Sequence, residues 1–226
     1  MERVAAVLVT PAVSAAAPPG ADPVAFGRAL VEDTCDLVAG LELVAPAVAL
    51  SDPAERALGG VRELVWPGTP VLGLTAGEKG GGAQGPVMQT LQALAARGVG
   101  QAALLAADAP DLPPLLIGKL FRALGAARRP GVAVCPAEGG GLVALAAWLP
   151  VAEWLTETLS DLDLPESSAE LDVADVAVRL RGAAPRRGLV QAVPGWHRLR
   201  SPDDLKLLDP GLEGWQATRG VLRAVL

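Results

Sequence analysis

Two acids, Asp108 and Asp111, stand three residues apart in "LLAADAPDLPPLL" (104–116), directly after the apolar run "AALLAA". Ligands of open α/β sheets bind outside the carboxyl ends of the strands, and Asp108 occupies such an end. Pro110, Pro113 and Pro114 fix φ and hold off a helix, so an Asp108 carboxylate would be aimed over the sheet edge. A hard cation such as Mg²⁺ or Mn²⁺, bound through one or two carboxylates and substrate phosphates, needs little more protein than that. The structural alternative is an Asx-type turn at Asp108 and, at Asp111, the cap of a helix starting near Pro113. For Asp111 the cap is preferred; for Asp108 the two readings stand level.

Other candidate groups carry less. His197 is the single histidine, a residue type that is more often structural than a general base. The glycine cluster "GEKGGGAQG" (77–85) is too irregular for a Walker loop or a dinucleotide fingerprint; Lys79 is its one phosphate candidate. Cys35 and Cys135 lie far apart in apolar contexts with no second cysteine at metal or redox spacing, and read as reduced core thiols. Arg128, Arg129 and "RLRGAAPRR" (179–187) read as solvated helix ends and loops.

The elements that must position these residues alternate. Short apolar runs at 4–10, 43–50, 70–74, 101–107, 131–135 and 142–148 are strand candidates, and helical patterns lie between them, the signal of βαβ units and a mostly parallel sheet. Asp22 caps a first helix with Pro23 at its first position, and Ser51 or Asp52 caps a second. A third spans 84–97, and a fourth runs from the Asp111 region to Leu124. From about 150 the chain turns α-rich, with helices expected at 151–159, 168–181, 201–208 and 212–226. One α/β domain over 1–226 is expected.

The composition narrows function by exclusion. A net charge of -6 and pI near 4.9 give no positive field for nucleic acid. No apolar stretch reads as a bilayer span, and "VAAVLVTPAVSAAA" (4–17) fits a buried first strand better than a signal peptide. A cytoplasmic protein without membrane partners is expected. The absence of Tyr and Asn and the arginine bias over three lysines suggest a GC-rich bacterial genome.

Three stretches, "LLAADAPDLPPLLIGKLF" (104–121), "PAEGGGLVALAAW" (136–148) and "RLRSPDDLKLL" (198–208), carry a family resemblance. With "PPG" (18–20) and the glycine station ending at Gly85, they resemble the GT-A-like transferases of the nucleotide-diphospho-sugar superfamily, specifically a bacterial glycosyltransferase-like group associated with radical-SAM enzymes. Members read roughly "GSDSPDLP", "PAEDGGYYLIGL" and "DVDTPEDL". The resemblance implies a three-layer α/β/α sandwich binding a nucleotide or nucleotide sugar at Pro19, Gly20 and Gly85. It also implies Mg²⁺ or Mn²⁺ near Asp108, with Glu138 as a second carboxylate and Asp111 assisting the chemistry.

Most departures from the family pattern remove charge-handling groups. Its first loop continues with basic residues, whereas this chain continues Ala21, Asp22, Pro23, Val24, Ala25, Phe26. An arginine at the glycine station becomes Val87, the acid before two glycines becomes Gly139, and two aromatics become Leu142 and Val143. Both acids of the last station become Arg198 and Arg200, which cannot ligate a metal. Two readings follow: a glycosyl or nucleotidyl transferase, with Arg198 and Arg200 on the nucleotide phosphates in a metal-independent version, or a non-catalytic GT-A-fold binding or assembly module. A third and weaker one gives the C-terminal part, with Trp196 and Trp215, a role as sheet-edge cover or homodimer seam.

Overall fold

The computed structural model describes residues 2–75, 84–127, 129–165 and 167–225. Its centre is a seven-stranded sheet in the order β3-β2-β1-β4-β6-β5-β7. The strands are β1 (Arg3–Val9), β2 (Ala45–Ser51), β3 (Val71–Leu74), β4 (Gln101–Ala106), β5 (Val132–Pro136), β6 (Leu142–Trp148) and β7 (Val190–Ala192). Only β6 runs against the others. The reason is local: Ala137 to Gly141 are too few to cross over, and Gly139, Gly140 and Gly141 all have positive φ, so β5 and β6 close as a hairpin.

The strands read as unbroken apolar runs because both faces are covered. Val7 and Val9 face one core with Phe26, Leu30, Ile117 and Leu120; Val4, Ala6 and Leu8 face the other with Met88, Leu91, Leu155 and Leu180. Helices α1 (Pro23–Ala39), α2 (Asp52–Leu58), α4 (Pro114–Ala127) and α7 (Gln216–Val225) lie on the first face, and α3 (Pro86–Ala96), α5 (Glu153–Ser160) and α6 (Val176–Ala183) on the second. This is the expected three-layer α/β sandwich. Each fully buried Phe26 or Leu30 contributes about 1.5–3 kcal/mol by leaving water.

The expected caps are present. Asp22 Oδ1 accepts from the Val24 N–H at 3.0 Å, and it is Ser51, not Asp52, whose Oγ accepts from the Ala54 N–H at 3.3 Å.

The C-terminal third differs from its reading. The expected helix over 168–181 is a 3-10 turn at Glu170–Asp172 followed by α6, and 201–208 is a 3-10 helix at Pro202–Leu207. β7 was not anticipated: three half-exposed residues give no periodicity, and only pairing with Val132–Val134 makes them a strand. α7 packs on α1, where the Asp33 carboxylate accepts from the Ala217 and Thr218 N–H groups at 2.9 and 2.8 Å. No helix among the described residues is long and apolar enough to cross a membrane.

Candidate functional site

β1 and β4 lie side by side and parallel, while the chain leaves β1 for β2 on one side and leaves β4, through α4, for β5 on the other. The crevice outside their carboxyl ends is therefore the topological switch point, where this architecture takes ligands. Asp108, just past β4, stands there, as the sequence requires.

Its partner is Arg198. The guanidinium meets Asp108 as a fork, Nε to Oδ1 at 2.6 Å and Nη2 to Oδ2 at 2.9 Å. Nη2 also reaches Asp172 Oδ1 at 2.8 Å, and Nη1 donates to the Leu142 and Leu171 carbonyls at 3.1 and 3.4 Å. Every N–H of the guanidinium thus has an acceptor. Arg198 is 7% exposed and Asp108 4%. Burial works against the charge, but Asp108 and then Asp172 outweigh it and hold Arg198 protonated more firmly than a free arginine. The cavity left between Thr10, Asp108, Asp172 and Arg198 measures about 10 Å³, room for about one water.

Asp111 is not the helix cap expected of it. Pro113 and Pro114 have no N–H to offer, and the carboxylate turns instead to the C-terminal segment. His197 Nε2 lies 2.9 and 3.0 Å from its two oxygens, Trp196 Nε1 donates at 3.2 Å and the Asp209 N–H at 3.1 Å. The His197 and Trp196 rings stack at 4.9 Å between centroids. Burial pushes the Asp111 carboxyl up, but these bonds, led by the one from His197, hold it below the usual carboxylate range. The two acids together fasten residues 196–198 to the loop after β4.

A second internal substitution faces the other rim. The N-terminus of α3 would suit a phosphate, since its first amides point outward and its dipole favours negative charge. Glu170 fills it: Oε2 and Oε1 accept from the Val87 and Met88 N–H groups at 2.9 and 3.1 Å. Glu170 is wholly buried, and desolvation raises its pKa despite those bonds. Gly85 belongs to this contact, because a Cβ there would sit 2.5 Å from the Glu170 carboxyl carbon. Sequence reading had no signal for Glu170, which lies in the polar stretch "ESSAELD" (166–172).

The remaining candidates do not join the crevice. Pro19 and Gly20 are exposed at the tip of the first loop, and Glu138 is exposed on the β5–β6 hairpin; none lines the cavity. Arg200 is half-buried beside the hairpin; its Nη1 donates to the Gly140 carbonyl at 2.9 Å, while Nε and Nη2 are buried without a partner among the described residues. Burial and then the charge of Arg198 lower its pKa. Lys79 lies outside the described residues. Cys35 and Cys135 are buried free thiols, each pushed by burial to about 12, as core thiols should be.

These residues do not fit a divalent cation. Both Asp108 oxygens already accept from a guanidinium, Glu138 is at the surface, and no group of three His, Cys, Asp or Glu among the described residues could hold one. Asp108 lines the crevice, whereas Glu138, expected to share a metal with it, is exposed on the hairpin and does not line that cavity.

Neither a family model nor a curated protein sequence matches the chain. Solved structures do. A protein assigned as a nucleotide-diphospho-sugar transferase from Desulfovibrio desulfuricans G20 superposes with a TM-score of 0.63 at 16% identity, covering 100% of this chain and 99% of that one. The 4-diphosphocytidyl-2C-methyl-D-erythritol synthase of Anaerococcus prevotii gives 0.60 at 12% identity, covering 98% and 99%. The fold is that of the GT-A-like nucleotidyltransferases. The CMP:2-keto-3-deoxy-manno-octonic acid synthetase in complex with CTP also shares it, at a TM-score of 0.52 and 13% identity, over 91% of this chain and 96% of that one. In this GT-A-like chain, the crevice is lined by its own Arg198 and its α3 N-terminus by its own Glu170.

Proposed function

We propose that this GT-A-fold chain is a non-catalytic binding or assembly module whose switch-point crevice is filled by its own side chains. The observation that carries the reading is the saturated guanidinium of Arg198 on Asp108 and Asp172. A nucleotidyl or glycosyl transferase must neutralise a diphosphate with a metal or with free basic groups, and here the basic group is spent internally. The Glu170 carboxyl occupies the place where a phosphate would otherwise meet helix amides, which opposes an anionic ligand there. Inserting a nucleotide would require breaking a buried ion pair, and removing one partner of such a pair costs about 3–5 kcal/mol.

The test is a thermal-shift panel of CTP, other nucleoside triphosphates and nucleotide sugars, with and without Mg²⁺ or Mn²⁺. No shift is expected. A ligand at about 100 times its dissociation constant would add about 2.7 kcal/mol, so a metal-dependent shift that disappears in Asp108→Asn would overturn the reading.

One observation favours a second reading, a metal-independent transferase. Arg200 keeps Nε and Nη2 buried and without a partner among the described residues, close to Arg198, and a phosphate could satisfy them after a small rearrangement. Nucleotide binding without metal, lost in Arg200→Gln, would select that reading.

A further inference from the structure

A large cavity lies at the opposite end of the sheet. It holds about 1060 Å³ and runs beneath the amino-terminal ends of the strands, where Val4, Ala45, Pro70 and Val99 lie at or just before the starts of β1, β2, β3 and β4. That is at the top of the range for small-molecule sites, which are mostly apolar with a few placed polar groups. Val4, Leu94 and Val99, all buried, make the floor.

One wall is Trp66, 59% exposed and far more open than the buried Trp215. The ring is also held in place: its Nε1 donates to Asp36 Oδ1 at 2.7 Å, and its carbonyl accepts from the Thr69 N–H at 3.0 Å across a turn in which Gly68 has φ +87°. A fixed aromatic face is a preorganised platform for a flat apolar group or for a cation.

The electrostatics give the sign of the ligand. α1 is capped at Gly40 and α3 at Arg97, so two helix C-termini, with their partial negative charge, lie at this end of the sheet. Asp36 and Glu2 add carboxylates to the lining, and Arg97 is the one basic group opposing them among the described lining residues. A cationic head is therefore favoured beside Asp36 and an apolar body over the floor and Trp66.

We infer that this groove binds an amphipathic organic cation, an ammonium carrying an aromatic or aliphatic body, stacked on Trp66 and paired with Asp36. The site is separate from the switch-point crevice and does not depend on whether that crevice is closed. It would supply a binding module with a ligand of the opposite charge to a nucleotide.

The probe is 2-phenylethylammonium, with 3-phenylpropionate as the anionic analogue of similar shape. Each of the five tryptophans gives an indole N–H resonance in a ¹H–¹⁵N spectrum, and Trp66→Phe identifies one of them. Saturable movement of the Trp66 resonance by the ammonium, little movement by the carboxylate, and binding weakened about threefold or more in Asp36→Asn are expected for a partly exposed ion pair. Asparagine keeps a carbonyl to accept from the Trp66 indole, and unchanged resonances of the other four tryptophans report that the variant is folded. The inference is overturned if the ammonium produces no saturable shift, if the carboxylate binds equally well, or if Asp36→Asn leaves the affinity unchanged.

Discussion

Arg198 and Asp108 meet through two parallel N–H···O contacts of 2.6 and 2.9 Å at the carboxyl end of β4, in the place where the resemblance to GT-A-like transferases puts a divalent metal. The guanidinium is a resident cation that cannot dissociate. Its second acid, Asp172, makes the arrangement a triad bridging β4, the 3-10 turn at Glu170–Asp172 and the segment before Pro202.

Asp108→Ala should destabilise the fold by about 3–5 kcal/mol, because it leaves a buried guanidinium short of charge. Replacing both partners, Asp108→Leu with Arg198→Met, should cost less than Asp108→Ala alone. Urea denaturation of the three proteins checks the order, and a double variant no more stable than Asp108→Ala would mean that the cost does not come from an uncompensated buried charge.

Glu170→Ala should cost about 1–3 kcal/mol by leaving the Val87 and Met88 N–H groups without acceptors. Glu170→Gln should cost less, since burial already disfavours the charged form. The pH sign follows from the same shift. The folded pKa is above the unfolded one, so the folded state binds the extra proton, and stability falls as pH rises from the ordinary glutamate value through the raised one. Asp33 is raised as well and gives a slope of the same sign. The difference between wild type and Glu170→Gln across a pH series of melting curves isolates the Glu170 part.

Asp111 works in the opposite sense. Its folded pKa is lowered, so it contributes stability above the unfolded value near 3.8, and that contribution is lost as pH falls through the folded value. Asp111→Asn should flatten this acid limb. An acid-unfolding series that is unchanged in Asp111→Asn would show that the Asp111, His197 and Trp196 cluster adds nothing.

Gly141→Ala should be destabilising by about 1–3 kcal/mol. Its φ is +75°, and a Cβ would lie 2.5 Å from the Leu171 carbonyl, which itself accepts from Arg198. Gly20→Ala, at φ +90° but with open space around it, should cost only the backbone term. Thermal melts of the two variants separate crowding from conformation.

Much of the fold was legible in the sequence, because parallel strands buried on both faces leave apolar runs such as "VAAVLV" and "AALLAA", and because Asp22 and Ser51 are strong local caps. The position of Asp108 at the switch point was legible for the same reason. What the runs do not encode is which distant side chain faces which. Arg198 was visible as a loss of an acid, but its gain, a fork on Asp108 ninety residues away, is a tertiary fact. Asp111 looked like a cap from its spacing; the two prolines after it deny the amides a cap requires. Glu170 and the 3-10 turn lie in a polar stretch with no periodicity, and Trp66 follows α2 in a loop where nothing marks it as the wall of a groove.

The most direct test of the central claim is electron paramagnetic resonance of Mn²⁺ titrated into the folded wild-type protein, alone and with CTP. With Asp108 held by Arg198, the free Mn²⁺ signal should track the metal added, corrected only for the complex CTP forms in buffer. Loss of the free signal to one tightly bound Mn²⁺ per chain, reversed in Asp108→Asn, would contradict the account and return the crevice to metal-dependent nucleotide chemistry.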